Sequence, residues 1–137
     1  MEMKIKLDGA KMPSRAHSTD AGLDIYSRED KVVPARGSAV FNTGVHVELP
    51  PNTMGEIRSK SGLNVKHNLT STGTIDVGYV GAIVVKLYNH GDKDYIVRAG
   101  DKISQLVVTP IIIPTLKLVD SLEDTERGYN GFGSSGR

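Results

Sequence analysis

The sequence predicts an all-β domain, a sandwich, jelly roll or barrel. Apolar and polar residues alternate with period two, short runs rich in Val and Ile recur, and turn formers separate them at short intervals. Many short strands with regular turns are the mark of packed or closed antiparallel sheets.

Met3 to Leu7 is the first candidate strand, followed by Gly22 to Tyr26 and Ala39 to Thr43. Val45, Val47 and Leu49 then alternate with His46 and Glu48, which predicts a half-buried strand. Pro50-Pro51 turns the chain into Met54 to Arg58. A short helix is expected over Ser61 to Asn68, with Ser59 or Ser61 as cap, because no long apolar stripe follows Leu63. Gly73 to Gly81 reads as a hairpin. Ala82 to Tyr88 and Lys102 to Val108 are the strongest strands, bounded by turns at His90-Gly91-Asp92, Ala99-Gly100-Asp101 and Pro110. Ile111-Ile112-Ile113 suits a core or an interface, and Leu116 to Val119 is the last expected strand.

With 137 residues the chain suits one domain with a real core. The expected division is a folded domain over residues 1–120 and a mobile tail over 121–137, where four glycines fall in the last ten positions. Seventeen basic against sixteen acidic residues leave a formal charge of +1, which gives no reason to expect nucleic acid or a membrane as partner. The chain has no cysteine, which excludes thiol chemistry and suits a reducing, cytoplasmic setting. No signal peptide or membrane span is legible. His17, His46, His67 and His90 show no metal-binding spacing and read as surface or packing residues.

Chemistry concentrates in a few stretches. Asp24 sits inside the apolar run Ala21-Gly22-Leu23-Asp24-Ile25-Tyr26, where a carboxylate needs a partner or a task. Arg58-Ser59-Lys60-Ser61-Gly62-Leu63 places cations and hydroxyls before the expected helix, suited either to an anion or to a capped end with solvated charges. Asp76 and Gly78 serve turn chemistry or function, and Asp101 opens a buried strand. In the tail, Gly131-Phe132-Gly133-Ser134-Ser135-Gly136 has the G-x-G-x-x-G spacing, but no helix can follow it, so a dinucleotide fold is rejected. Its glycines and hydroxyls, with Arg127, still suit an anion, and Phe132 suits a stacked base.

These stretches, in this order, resemble the five motifs of the trimeric dUTPase family. Ala21 to Asp24 resembles the first, Ser59 to Leu63 the second, Gly73 to Gly81 the third, Gly100 to Leu106 the fourth, and Arg127-Gly128 with Gly131 to Gly136 the fifth. Two positions depart from the family pattern: Lys60 and Lys102 stand where arginine is usual, so the charge is kept and the flat bidentate fork is lost. Arg58 is a possible substitute for part of that fork.

The resemblance implies a distorted jelly-roll, or β-clip, barrel and a homotrimer whose active sites are shared. One chain supplies the first, second and fourth motifs, another the third, and the last its tail. It implies hydrolysis of dUTP to dUMP and pyrophosphate with Mg2+. Asp76 is then the general base for in-line water attack at the α-phosphorus, and Tyr79 stacks on the deoxyribose. Backbone near Leu69 to Gly73, with Thr72 and Gly73, meets uracil. Lys60, Ser61, Gly62 and Gln105 hold phosphate oxygens. Arg127, Gly133, Ser134 and Ser135 close on the γ-phosphate while Phe132 covers uracil. Asp24 touches the metal through water.

Two rivals share the fold. A dCTP deaminase has a similar Ile-Asp-x-Gly-aromatic-x-Gly stretch, but its catalytic glutamate falls at Lys86, which cannot do that work. A non-catalytic regulatory or nucleotide-binding module has no need of Asp76, Tyr79 and a complete tail motif. A sugar-binding platform is disfavoured by the absence of Trp and an aromatic content of 5%.

Overall fold

Inward and outward side chains alternate along the strands of the computed structural model, which describes residues 1–136; Arg137, the end of the expected tail, lies outside them. In chain order the elements are β1 (Lys4–Leu7), β2 (Gly22–Tyr26), β3 (Lys31–Val33), β4 (Ser38–Asn42), β5 (Val45–Glu48), β6 (Thr53–Arg58), α1 (Ser61–His67), β7 (Leu69–Thr70), β8 (Thr72–Ile75), β9 (Val84–Asn89), β10 (Tyr95–Val97) and β11 (Lys102–Pro110).

All strand pairs are antiparallel. The largest sheet runs β2-β11-β6-β8, a second runs β4-β9-β7, and β1-β5 and β10-β3 are two-stranded ladders. They surround one apolar cluster that includes Ile25, Phe41, Val85, Leu87, Ile103 and Leu106. The result is the expected all-β, distorted jelly-roll barrel with one short helix. In β9, Val85 and Leu87 enter the core while Val84, Lys86 and Tyr88 face out, the period-two pattern that marked this stretch in the sequence. A register shift between Lys102 and Ser104 lets the consecutive residues Ile103 and Ser104 both turn inward.

Several expectations are corrected. Leu116 to Val119 forms no strand, and Leu116 and Leu118 are fully exposed, because no strand of the same chain lies alongside to complete a ladder. Ile112 and Ile113 are likewise exposed and contribute nothing to this chain's core. Gly73 to Gly81 is not a two-stranded hairpin. β8 pairs with β6, and after a turn the chain crosses to β9 in the other sheet. Neither Ser59 nor Ser61 caps α1. The N-cap is Lys60, with no side-chain cap bond, and Asn68 closes the helix in the left-handed region at φ 59°. β3 and β10, three residues each, pair with one another.

Candidate active site

The register of the large sheet lines up four chemistry-bearing positions in one row. Asp24 on β2 faces Gln105 on β11, Gln105 faces Arg58 on β6, and Arg58 faces Thr72 on β8. Directly opposed residues of antiparallel strands share a face, so motifs far apart in sequence meet along this row. A cavity of about 560 Å³ opens there, lined among others by Arg58, Ser59, Thr72, Gly73 and Gln105.

At one end of the row the buried Asp24 carboxylate is held between two ammonium groups. Lys60 Nζ bonds Oδ1, and Lys102 Nζ lies 3.0 Å from Oδ2. Burial pushes the Asp24 pKa up, but the hydrogen bonds and charges of Lys60 and Lys102 outweigh it and hold the carboxyl below its ordinary value. Lys102 is correspondingly raised by its bond to Asp24. The trio leaves one net positive charge at the edge of α1.

Hydroxyl groups that the sequence did not single out tie the row together. Ser104 Oγ donates to Arg58 O at 2.8 Å, so the 2.8 Å contact between Ser71 Oγ and Ser104 Oγ has Ser71 as donor. Ser59 Oγ accepts from Ser71 N at 2.9 Å and contacts Ser71 O at 3.2 Å. Gln105 Nε2 donates to Ser59 O at 3.0 Å, and its amide lies where a Cβ at position 22 would stand, so a side chain at Gly22 would displace that amide. Arg58 is engaged by Glu56, with Nε 2.7 Å from Oε2, and so lines the cavity with its charge partly compensated. Ser71, Ser104 and Glu56 carried no sequence signal, since isolated serines and a strand glutamate look alike in any β protein.

Gly62, inside α1, has open space where a side chain would be. Glycine within a helix costs about 1 kcal/mol relative to alanine, and nothing in this chain requires it. The bare backbone beside Lys60 and Ser61 is instead open to the close approach of an anion.

Asp76 lies on the turn after β8. Tyr79 N donates to Asp76 O at 3.1 Å, Gly78 takes a positive φ of 95°, and Tyr79 Oη donates to Ala82 O at 2.8 Å. Asp76 is exposed. With Tyr79, Gly73, Ile75, Ile83 and other residues it lines a second, more apolar cavity of about 260 Å³. The two cavities share Ile57, Gly73 and Thr74, on β6 and β8. Neither is lined by Lys60, Ser61, Gly62 or the tail.

The tail has its own local order without strand or helix. Arg127 Nε donates to Asn130 O at 2.8 Å, and turns close from Ser134 N to Gly131 O and from Gly136 N to Gly133 O, each at 3.1 Å. Arg127, Phe132, Gly133, Ser134 and Ser135 line a concavity of about 450 Å³ made of tail residues, with the Phe132 ring fully exposed. The single chain thus presents two adjoining cavities, one on the Asp24–Gln105 row and one at the Asp76–Tyr79 turn, and a tail concavity that shares no lining residue with either.

The sequence model of the dUTPase family matches residues 8–136. A deoxyuridine 5'-triphosphate nucleotidohydrolase of Clostridium tetani is 44% identical over 140 residues, covering 98% of this chain and 97% of that protein. One from Gloeothece citriformis is 45% identical over 141 residues, covering 99% and 97%. Among solved structures, the dUTPase of Staphylococcus bacteriophage 80alpha with dUPNHPP has a TM-score of 0.89 at 36% identity, covering 99% of each chain. A variant dUTPase of phage phi11 of S. aureus, described as revealing the coordination of a structural Mg(II) ion, has a TM-score of 0.84 at 32% identity, covering 90% of this chain and 100% of that one.

Proposed function

The chain belongs to the dUTPase family, and from that premise we propose how its residues hydrolyse dUTP to dUMP and pyrophosphate. The observation that carries the assignment of roles is the Asp76–Tyr79 turn. It sets an exposed carboxylate and an aromatic ring on the wall of one nucleoside-sized, largely apolar cavity.

In this assignment Asp76 orients a water and takes its proton as the oxygen attacks the α-phosphorus in line. Tyr79 packs on the deoxyribose. A 2′-hydroxyl against that apolar wall would lose its hydrogen bonds to water, which disfavours ribonucleotides. Thr72 and Gly73, shared with or next to the second cavity, stand where backbone groups can read uracil; a tight site rejects the thymine methyl by its volume and the cytosine amine by unmatched donors. Lys60, Ser61, Gly62 and Gln105 receive phosphate oxygens. Arg127, Gly133, Ser134 and Ser135 close on the γ-phosphate with Phe132 over the base, which excludes water and adds positive charge.

The site needs more than one chain. The tail concavity shares no lining residue with the two cavities in a single subunit, and a long apolar segment lies unpacked after β11: Ile112, Leu116, Leu118 and Leu122 are each at least 86% exposed. Exposed apolar surface of this extent marks an interface. A homotrimer supplies that cover and brings the phosphate row of one subunit, the turn of a second and the tail of a third to one substrate. The division into a folded domain over 1–120 and a closing tail over 121–137 belongs to the same proposal, as does residence in the cytoplasm. No helix among the described residues is long and apolar enough to cross a membrane.

The residues suit a Mg2+ that arrives with the substrate. Among the described residues no group of three His, Asp or Glu stands ready to hold a cation, and Mg2+ bound mainly by phosphates and water needs no such cage. Asp24 remains the outer contact: two ammonium groups leave part of a carboxylate's acceptor capacity open to a metal-bound water. When bound, Mg2+ would supply positive charge against the charge that develops on the phosphates, with Asp24 touching it through water.

Pyrophosphate release with Mg2+, compared for dUTP, dTTP, dCTP and UTP at equal concentration, tests the assignment. Strong preference for dUTP, lost on chelation, is expected. Binding of dUTP without release from any of the four would instead favour a regulatory module.

A further inference from the structure

His46 stands on β5 beside the turn that carries Asp76 and Tyr79, and both of its ring nitrogens meet acceptors. Nδ1 lies 2.8 Å from Val80 O. Nε2 lies 2.8 Å from Oδ2 of Asp8. A carbonyl oxygen and an ionised carboxylate accept but never donate, so each contact needs an N–H on the ring. One side chain thus links the segment after β1 to the turn before β9.

The contact is placed where it matters. Val77, Tyr79 and Val80 are all exposed in the single chain, so packing within the subunit contributes little to the pose of the turn. The hydrogen bonds from Tyr79 N to Asp76 O and from Tyr79 Oη to Ala82 O are internal to it. The chain is next joined to β5 through Ile83 N and Val45 O, at 2.7 Å. His46 is the side chain that reaches from β5 to the turn ahead of that point, and it is only 21% exposed, so water competes weakly for its bonds.

The charged groups around it are set by β1 and its neighbours. Lys6 is paired across the ladder with His46, and its Nζ lies 3.7 Å from Asp8 Oδ1. Arg28 donates to the Asp8 backbone oxygen at 2.8 Å, and farther along the ladder Lys4 Nζ lies 3.6 Å from Glu48 Oε2. From the turn, the facing group is the Val80 carbonyl. Asp8 therefore holds the ring, and the ring holds Val80.

We propose that His46 is a positioning residue for dUTP hydrolysis, which through Val80 fixes the turn bearing Asp76 and Tyr79 against β5. The proposal rests on the catalytic assignment of that turn. Loss of the ring would free the turn from β5 ahead of the Ile83–Val45 bond.

Steady-state kinetics of the full chain with dUTP and Mg2+ test this, with kcat and KM read beside the melting temperature. His46→Ala is expected to lose about tenfold in kcat with a smaller change in KM and an unchanged melting temperature. His46→Gln, whose amide nitrogen still donates to an oxygen, is expected to recover part of that loss. A His46→Ala enzyme with the wild-type kcat, or one whose kcat falls only in step with its stability, overturns the proposal. An active Asp76→Asn enzyme overturns the assignment of the turn instead.

Discussion

Lys102 Nζ stands 3.0 Å from Oδ2 of Asp24, while Lys60 binds the other oxygen of the same buried carboxylate. Both lysines occupy positions where the dUTPase pattern usually has arginine, and the one acid orients both. A lone ammonium lacks the planar fork of a guanidinium; fixed to a common carboxylate, the pair regains a defined direction. Asp24→Asn is therefore expected to raise KM for dUTP more than it lowers kcat, by about tenfold in kcat/KM, since the loss falls on phosphate contacts made before the reaction. Equal losses in kcat and kcat/KM would place the trio in the transition state alone.

The same trio sets an acid limb of stability. Asp24 is held below its ordinary value of 3.8, so the stabilisation is fully present above that pH and is lost as pH falls through the lower folded pKa. Lys102 is raised above 10.5, so its share is present below that value and is lost only as pH rises beyond it. Thermal melts should show a constant gap in Tm between wild type and Asp24→Asn across neutral pH, closing as the pH drops below about 4. A gap that persists in strong acid would mean that the ion pairs contribute nothing to the fold.

Asp76→Asn is nearly isosteric and leaves the turn's backbone bond from Tyr79 N to Asp76 O intact. Dissociation constants for dUTP by calorimetry should stay close to wild type, while pyrophosphate release falls by about 100- to 10,000-fold, the usual contribution of a positioned base. Turnover near the wild-type rate would exclude Asp76 as that base.

How much was legible before the structure depended on range. Gly22–Tyr26 was readable residue for residue, and Val85 and Leu87 marked β9, because alternation is a local signal. β3 and β10 were missed because three residues carry no period, and they exist only through each other. Leu116 to Val119 has a strand's composition but no neighbour in its own chain, so pattern without a partner misled. In the site, motif order anticipated that Asp24, Lys60 and Gln105 belong together. It could not show that the two lysines share one carboxylate, that Ser71 and Ser104 bond to each other, or that His46, read as a surface or packing residue, touches Val80, since those contacts arise from sheet register and side-chain reach.

A chain ending at Asp124 removes Arg127, Phe132, Ser134 and Ser135 but none of the strands. The tail residues line a concavity of their own and support no part of the core. Light scattering should therefore give the same oligomer as the full chain, while turnover drops by about a hundredfold from lost closure and charge over the phosphates. Unchanged kinetics would remove the tail from the reaction.

Leu118→Asp tests the shared site from the other direction. Leu118 is 99% exposed in the single chain, so a carboxylate there disturbs no internal contact, and the monomer should melt as wild-type monomer would. If the segment after β11 packs on a neighbouring subunit, the charge must be buried at that contact without a partner, which costs several kcal/mol and drives dissociation. The expected result is a folded monomer by light scattering and circular dichroism that releases almost no pyrophosphate, because the Asp76 turn no longer meets the phosphate row of another chain. A Leu118→Asp protein that stays trimeric and active would show that this segment is not the subunit contact; a monomer that keeps full turnover would show that one chain suffices for the site.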